Sequence, residues 1–254
     1  MTFALKSIVA AAAFVAAGVA SAASVTVPTG TAYNGLQFSG SGSLSFSADL
    51  LGALDTGKIA VTSYGAATAT VAKDSDGYYT QAGASAPITA LTVDTTTNAV
   101  LSAATSGGAT QTAPVLKSVS SGGFLTVTDL NVDLANKAVY ATIIGGNGVG
   151  TLTNVHLWDI GSITGATTVA GVGTYNTTLT GLSITTEGFN DFVKSLGLLT
   201  LGKSALSGVT DYGVITSTII ATAAATPTVP EPSTYALMGL GLVGMSLVAR
   251  RRAK

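Results

Sequence analysis

Apolar and polar residues alternate most regularly in the middle of the chain. The run Leu125-Thr-Val-Thr-Asp-Leu-Asn-Val-Asp-Leu134 has the two-residue period of a half-buried strand. Asn136-Lys137 supplies a turn, and Ala138-Val-Tyr-Ala-Thr-Ile-Ile144 returns as a partner strand. Gly145-Gly-Asn-Gly148 closes that strand, and a third begins over residues 151–159. Shorter runs of the same kind occupy residues 44–46, 58–63, 88–93, 177–185 and 213–222. Helical spacing occurs twice. Phe189, Phe192, Val193 and Leu196 stand at i, i+3, i+4 and i+7, with Thr186 as the expected N-cap and Gly197 beyond the end. Glu187 and Asp191 suit the positive end of that helix, and Lys194 the negative end. Residues 47–54 read as a capped two-turn segment before Gly57. Both helices are expected to seal an open end or edge of a sheet. Residues 103–112 are small, uncharged and rich in Gly, Ser, Thr and Ala, which predicts a surface loop or a boundary between domains. The pattern as a whole predicts an all-β fold, mainly an antiparallel sandwich, barrel or curved sheet, with one or two short helices.

Composition narrows the function classes. Charged residues make up 9% of the chain, against about 25% in an ordinary soluble domain. Eleven basic against twelve acidic residues leave no excess for phosphates, so nucleic acid is not an expected partner. The absence of cysteine removes disulfides, thiolate metal sites and thiol nucleophiles. One histidine, His156, removes any mechanism that needs two.

The two ends have a pattern of their own. Lys6 precedes a thirteen-residue uncharged stretch, residues 8–20, too short to span a bilayer and the right length for a signal-peptide core. Ala20 and Ala22 stand at −3 and −1 of a cleavage site before Ala23, so residues 1–22 are expected to be removed during passage through the export translocase. At the other end, Pro227 and Val229-Pro230-Glu231-Pro232 predict a rigid extended segment. An uncharged run of seventeen residues, 233–249, follows. As a helix it would measure about 25 Å, near the lower limit for a bilayer core of about 30 Å. Arg250-Arg251-Arg252-Ala253-Lys254 comes directly after it and is expected to stay cytoplasmic as a stop-transfer cluster.

Pro-Glu-Pro, a short apolar helix and a terminal arginine cluster together resemble the PEP-CTERM sorting signal of Gram-negative bacteria. The resemblance implies that a membrane protease, an exosortase, recognises Pro230, Glu231 and Pro232. It also implies that Arg250, Arg251 and Arg252 hold the chain in the inner membrane until processing, and that the product passes to the cell surface or extracellular matrix. The expected organisation is a signal peptide over 1–22, an extracytoplasmic β-rich domain over 23–226 and the sorting signal over 227–254. The exported body then carries eleven carboxylates and six lysines, and is mildly acidic.

Few residues suggest chemistry. No Gly-x-Ser-x-Gly elbow accompanies His156, which is expected to be an edge or core residue with a backbone hydrogen bond. Trp158 is expected in the core or at its rim. Asp74-Ser-Asp-Gly77 resembles the opening of a calcium loop, which makes Asp74 and Asp76 the weak metal candidates. Position twelve, however, is Ser85 where a calcium loop has Glu, and Asp-Gly also makes a plain turn. Tyr78-Tyr79 could stack on a sugar or pack on the surface. Gly145-Gly-Asn-Gly-Val-Gly150 lacks the lysine of a phosphate loop and reads as a turn. Glu187 and Asp191 share a helix face expected to be solvated. The stretch Thr180-Gly-Leu-Ser-Ile-Thr-Thr-Glu-Gly-Phe189, with the helix after it, resembles haem-transport-associated surface domains loosely. It assigns no ligand, although Tyr140, Tyr175 and His156 are the types to consider. No catalytic residue and no cofactor is assigned, and an enzyme is not expected. The function expected is a structural or adhesive surface or matrix protein in biofilm or exopolysaccharide, with polysaccharide or matrix proteins as partners. The alternative is a binding module for calcium, a sugar or haem.

Overall fold

The computed structural model describes residues 23–225 and, beyond them, Leu237, Met238, Leu240 and Leu242. The described strands are β1 (Ser24–Pro28), β2 (Ala32–Tyr33), β3 (Leu36–Phe46), β4 (Ala60–Tyr64), β5 (Thr68–Lys73), β6 (Tyr79–Asp94), β7 (Val100–Thr105), β8 (Gly108–Leu116), β9 (Ser120–Asp133), β10 (Ala138–Gly145), β11 (Gly150–Gly165), β12 (Gly173–Ile184) and β13 (Gly213–Ala223). Three helices interrupt them: α1 (Ala48–Gly57), α2 (Thr186–Ser195) and α3 (Thr200–Ser207). The described residues up to Thr222 form one compact unit.

Of the three predicted all-β architectures, the pairing selects a barrel. Hydrogen-bonded neighbours run β6–β3–β13–β12–β11–β10–β9, and β7 pairs with both β9 and β6, which closes the ring at eight strands. At the β3–β13 seam the two backbones lie so close that a Cβ at Gly40 would collide with the Thr218 carbonyl, and one at Gly213 with that of Ser45. Closure pairs the strand edges that an open sheet would expose. The wall parts in one half. The first half of β6 pairs with β5 and the second half with β7, while β9 switches from β8 to β7. Asp129 marks this switch: it has φ 52° and its carboxylate accepts the Gly107 N–H at 2.8 Å. Where the wall parts, α1 packs on β6, β8 and α3, while α2 lies on β9, β10 and β11.

Inward residues alternate until β11 and β12 bend together. On β12 the buried positions are Thr177 and Leu179 before Gly181 and Leu182 after it, so the inward phase flips there. Gly181 has φ 67° and lies backbone to backbone with Gly161 of β11. Such a glycine pair makes a tight corner in a barrel. Most buried side chains form one core that includes Leu125, Ile143, Leu157, Trp158, Leu182 and Phe192. A smaller cluster around Phe38, Leu91, Val100 and Ile219 fills the region of β1 and β7.

Three sequence expectations need correction. Residues 103–112 are not a surface loop, because they form the second half of β7 and the first half of β8, with Gly107, Gly108, Ala109 and Gln111 buried. Their small side chains serve close packing: a Cβ at Gly108 would collide with the Val127 carbonyl. The N-cap of α2 is Thr185, whose hydroxyl accepts the Gly188 N–H at 3.1 Å, and Thr186 is the first helical residue. A third helix, α3, exists without a side-chain cap. Its first N–H groups are satisfied from outside, Leu199 donating to the Val119 carbonyl at 2.8 Å and Leu201 to that of Ser118 at 2.9 Å. That arrangement leaves no local signal in the sequence.

Candidate functional site

The barrel interior holds a mainly apolar cavity. Residues of β3, β6, β7, β8, β9, β11, β12 and β13, with Leu50 of α1 and Phe192 of α2, line this cavity of about 80 Å³. Its wall is mainly aliphatic and aromatic, and among the described residues no Asp, Glu, Lys, Arg or His lines it. Three residues on this wall carry a buried polar atom without a partner: Trp158 at Nε1, Tyr212 at its hydroxyl and Ser217 at Oγ. Trp158 is 3% exposed and Tyr212 1%. The Tyr212 ring stands 6.4 Å from both Trp158 and Phe192, edge-on to the latter at 88°. Burial pushes the Tyr212 hydroxyl far above its usual pKa, so it remains a neutral phenol and a hydrogen-bond donor. Buried polar atoms without partners are rare, because each forfeits the hydrogen bonds it had with water.

The residues singled out from the sequence lie elsewhere. Asp74 Oδ1 accepts the N–H groups of Asp76 at 3.0 Å and Tyr78 at 2.9 Å, so this carboxylate closes a turn. Among the described residues no three His, Cys, Asp or Glu side chains gather as metal ligands. Tyr78 and Tyr79 part company. Tyr78 is exposed, whereas Tyr79 is buried, donates to the Ile59 carbonyl at 2.7 Å and lies 4.1 Å beneath the Lys73 ammonium. A two-tyrosine platform is therefore ruled out. His156 does not make the expected backbone hydrogen bond. Its Nε2 lies 2.9 Å from Asp159 Oδ1, near enough for an ion pair but not aligned as a hydrogen bond, and its ring is 5.2 Å from Tyr140. Tyr175 is held apart from them by Gly171, donating to its carbonyl at 2.9 Å and accepting its N–H at 3.0 Å. The face shared by Glu187 and Asp191 is only partly solvated: Glu187 is exposed, but Asp191 Oδ2 is buried without a partner. Burial, then the neighbouring Glu187, raises the Asp191 pKa against the opposing pull of Lys194.

Tyr212 and Ser217 were not distinguished by the sequence. Ser217 has a trace in the pattern, as a polar residue between Ile215 and Ile219 on the inward phase of β13. Tyr212 sits in the turn before β13 and has none.

Ala20, Ala22, Pro230, Glu231, Pro232 and the arginines 250–252 fall outside the described residues, as does most of the expected membrane helix 233–249. Within that stretch Leu237, Met238, Leu240 and Leu242 are helical and exposed. Among the described residues no helix is long and apolar enough to cross a membrane. Ala23 is described, and its carbonyl accepts both the N–H and the hydroxyl of Thr95, at 2.9 and 2.7 Å.

The PEP-CTERM protein-sorting motif matches residues 228–252, a span that includes Pro230-Glu231-Pro232 and the three arginines. Neither the curated proteins nor the solved structures give a match. The chain thus carries a PEP-CTERM protein-sorting motif, which indicates an exported protein sorted by an exosortase.

Proposed function

We propose that the exported β-barrel is a structural or adhesive component of the cell surface or extracellular matrix, delivered there by exosortase processing. The observation that carries this reading is the outer face of β11, β12 and β13. Register places Thr164, Thr178 and Thr216 in one row across the three strands. Ser162 opposite Thr180 and Asn176 opposite Thr218 flank that row, and the Thr218 hydroxyl donates to Asn176 Oδ1 at 2.9 Å. The row and its flanking pairs carry hydroxyls and an amide but no charge, and a rigid sheet holds them at fixed spacing. Such a surface suits weak hydrogen bonds to a repeating glycan, whose total strength comes from many copies. The Ala23–Thr95 contacts support the matching start of the body, since a chain beginning at Ala23 keeps every pairing of β1.

Co-sedimentation of protein from the culture medium with exopolysaccharide of the producing cells tests the reading. The triple variant Thr164→Val, Thr178→Val, Thr216→Val keeps strand propensity and removes the hydroxyl row. Its binding should fall by about tenfold, equivalent to about 1.4 kcal/mol. Wild-type protein that never sediments with polysaccharide, or a variant that binds as well, contradicts the assignment.

A further inference from the structure

We propose that the helix-bearing end of the barrel docks on an anionic phospholipid bilayer through exposed aliphatic side chains flanked by lysines. The adhesive reading concerns the outer face of β11, β12 and β13, so the two stand or fall separately.

Two segments far apart in sequence build this surface. The β8–β9 connection is clamped to the chain between α2 and α3. The Gly197 carbonyl accepts the Ser121 N–H at 2.8 Å and its hydroxyl at 3.2 Å. Gly202 of α3 packs so closely that a Cβ there would collide with the Val119 carbonyl. Together with the bonds from Leu199 to Val119 and from Leu201 to Ser118, this clamp gathers three aliphatic side chains at one junction. Val115, opposite Ser121 in the β8–β9 ladder, is 77% exposed, Leu201 55% and Leu199 42%. A valine left so exposed stands clear of its neighbours and does not line a groove.

Charge selects the occupant. Lys117 lies on the connection itself, Lys194 in the last turn of α2, and Lys203 on α3 four residues after Leu199, hence on the same helical face; all three are exposed. No Asp or Glu occurs in residues 112–128 or 192–210, although the exported body as a whole is acidic. α1, which packs on α3, brings Asp49 in its first turn and Asp55, whose carboxylate is engaged by the Tyr79 N–H at 3.1 Å. An anionic bilayer uses both features, since its headgroups attract lysines while aliphatic side chains enter the acyl boundary. A glycan would leave the aliphatic side chains in water. A second copy in symmetric contact would set lysine against lysine, and three side chains fall short of the about 800 Å² that each partner buries in a stable complex.

The chain has no cysteine, so one introduced thiol carries one dye. An environment-sensitive fluorophore is attached at Thr200→Cys, exposed at the start of α3, and in a control at Val172→Cys, exposed in the connection before β12. Gly173 pairs with Ala221 near the end of β13, which places Val172 at the opposite end of the barrel. The chain from Ala23 to Lys254 is mixed with vesicles of phosphatidylglycerol and phosphatidylcholine, or of phosphatidylcholine alone. The proposal expects a blue shift from the dye at Thr200→Cys with the mixed vesicles only, and none at Val172→Cys with either. Val115→Ser with Leu201→Ser should abolish the shift. Lys117→Gln with Lys203→Gln should weaken docking about tenfold. All four side chains are exposed, so circular dichroism should stay that of the wild type. Equal shifts with the two kinds of vesicle, equal shifts at the two dye positions, or a shift that survives the serine pair in a folded protein overturns the proposal. So does a shift that appears without lipid and grows with protein concentration, as for a second copy, or one that alginate alone produces, as for an anionic glycan.

Discussion

Asp94 and Asp191 show how one residue type acquires opposite roles. Asp94 Oδ1 accepts the N–H groups of Thr96 at 2.7 Å and Thr97 at 3.0 Å, and these bonds, Thr96 first, hold its carboxyl below the usual range. Its charged form therefore supports the fold above the unfolded pKa of about 3.9, and that support is lost as pH falls through the lower folded value. Asp191 is raised by burial, so its charge opposes folding at neutral pH and the penalty fades in acid. Denaturation of Asp94→Asn and Asp191→Asn across pH 2–7 checks both. At pH 7 the first should be less stable than wild type and the second more stable, with both differences closing in acid. A difference of the same sign in the two variants contradicts this assignment. Some residue roles were legible from local pattern alone: Asp74 as a turn former, Phe192 and Leu196 as a buried helix face. Tyr212 was not, because its burial comes from Trp158 and Phe192, which are distant in sequence.

The helices show how far an element can be read from its own residues. α2 was legible in its apolar spacing and its stop. Gly197 has φ 60°, its N–H reaches the Lys194 carbonyl and that of Leu198 reaches Val193, the Schellman arrangement of a helix end. The start was displaced by one residue because Thr185 and Thr186 are equally good caps by type; the strand geometry of β12 chooses between them. Thr185→Ala should cost about 1 kcal/mol in urea denaturation, and Thr186→Ala much less. Equal losses would mean that the hydroxyl of Thr185 does not cap the helix. α3 was not legible because its cap is the backbone of Ser118 and Val119, supplied from a strand connection 80 residues earlier in the chain. The strands followed the same rule. β9 and β10 carried their alternation openly, and the two adjacent polar residues Thr128-Asp129 mark the bulge where β9 changes partner. Residues 103–112 misled because small uncharged side chains serve a loop and a close strand crossing equally well.

At the scale of the molecule, strand content was legible and closure was not. A barrel and a sandwich share the same alternation. What decides is that β7 pairs with both β6 and β9, a relation between segments far apart in the chain. The cavity follows from that closure, since its wall is assembled from eight strands and no short window contains it. The sorting signal is the reverse case, a short linear pattern legible without any fold. It also carries the central claim, that this barrel is an exported protein handled by an exosortase. Mass spectrometry of the mature termini, on protein from the cells and from their medium, tests that claim most directly. The account predicts a medium form that starts at Ala23 and ends near Pro230-Glu231-Pro232. A chain with its C-terminus intact and confined to the membrane fraction would contradict it.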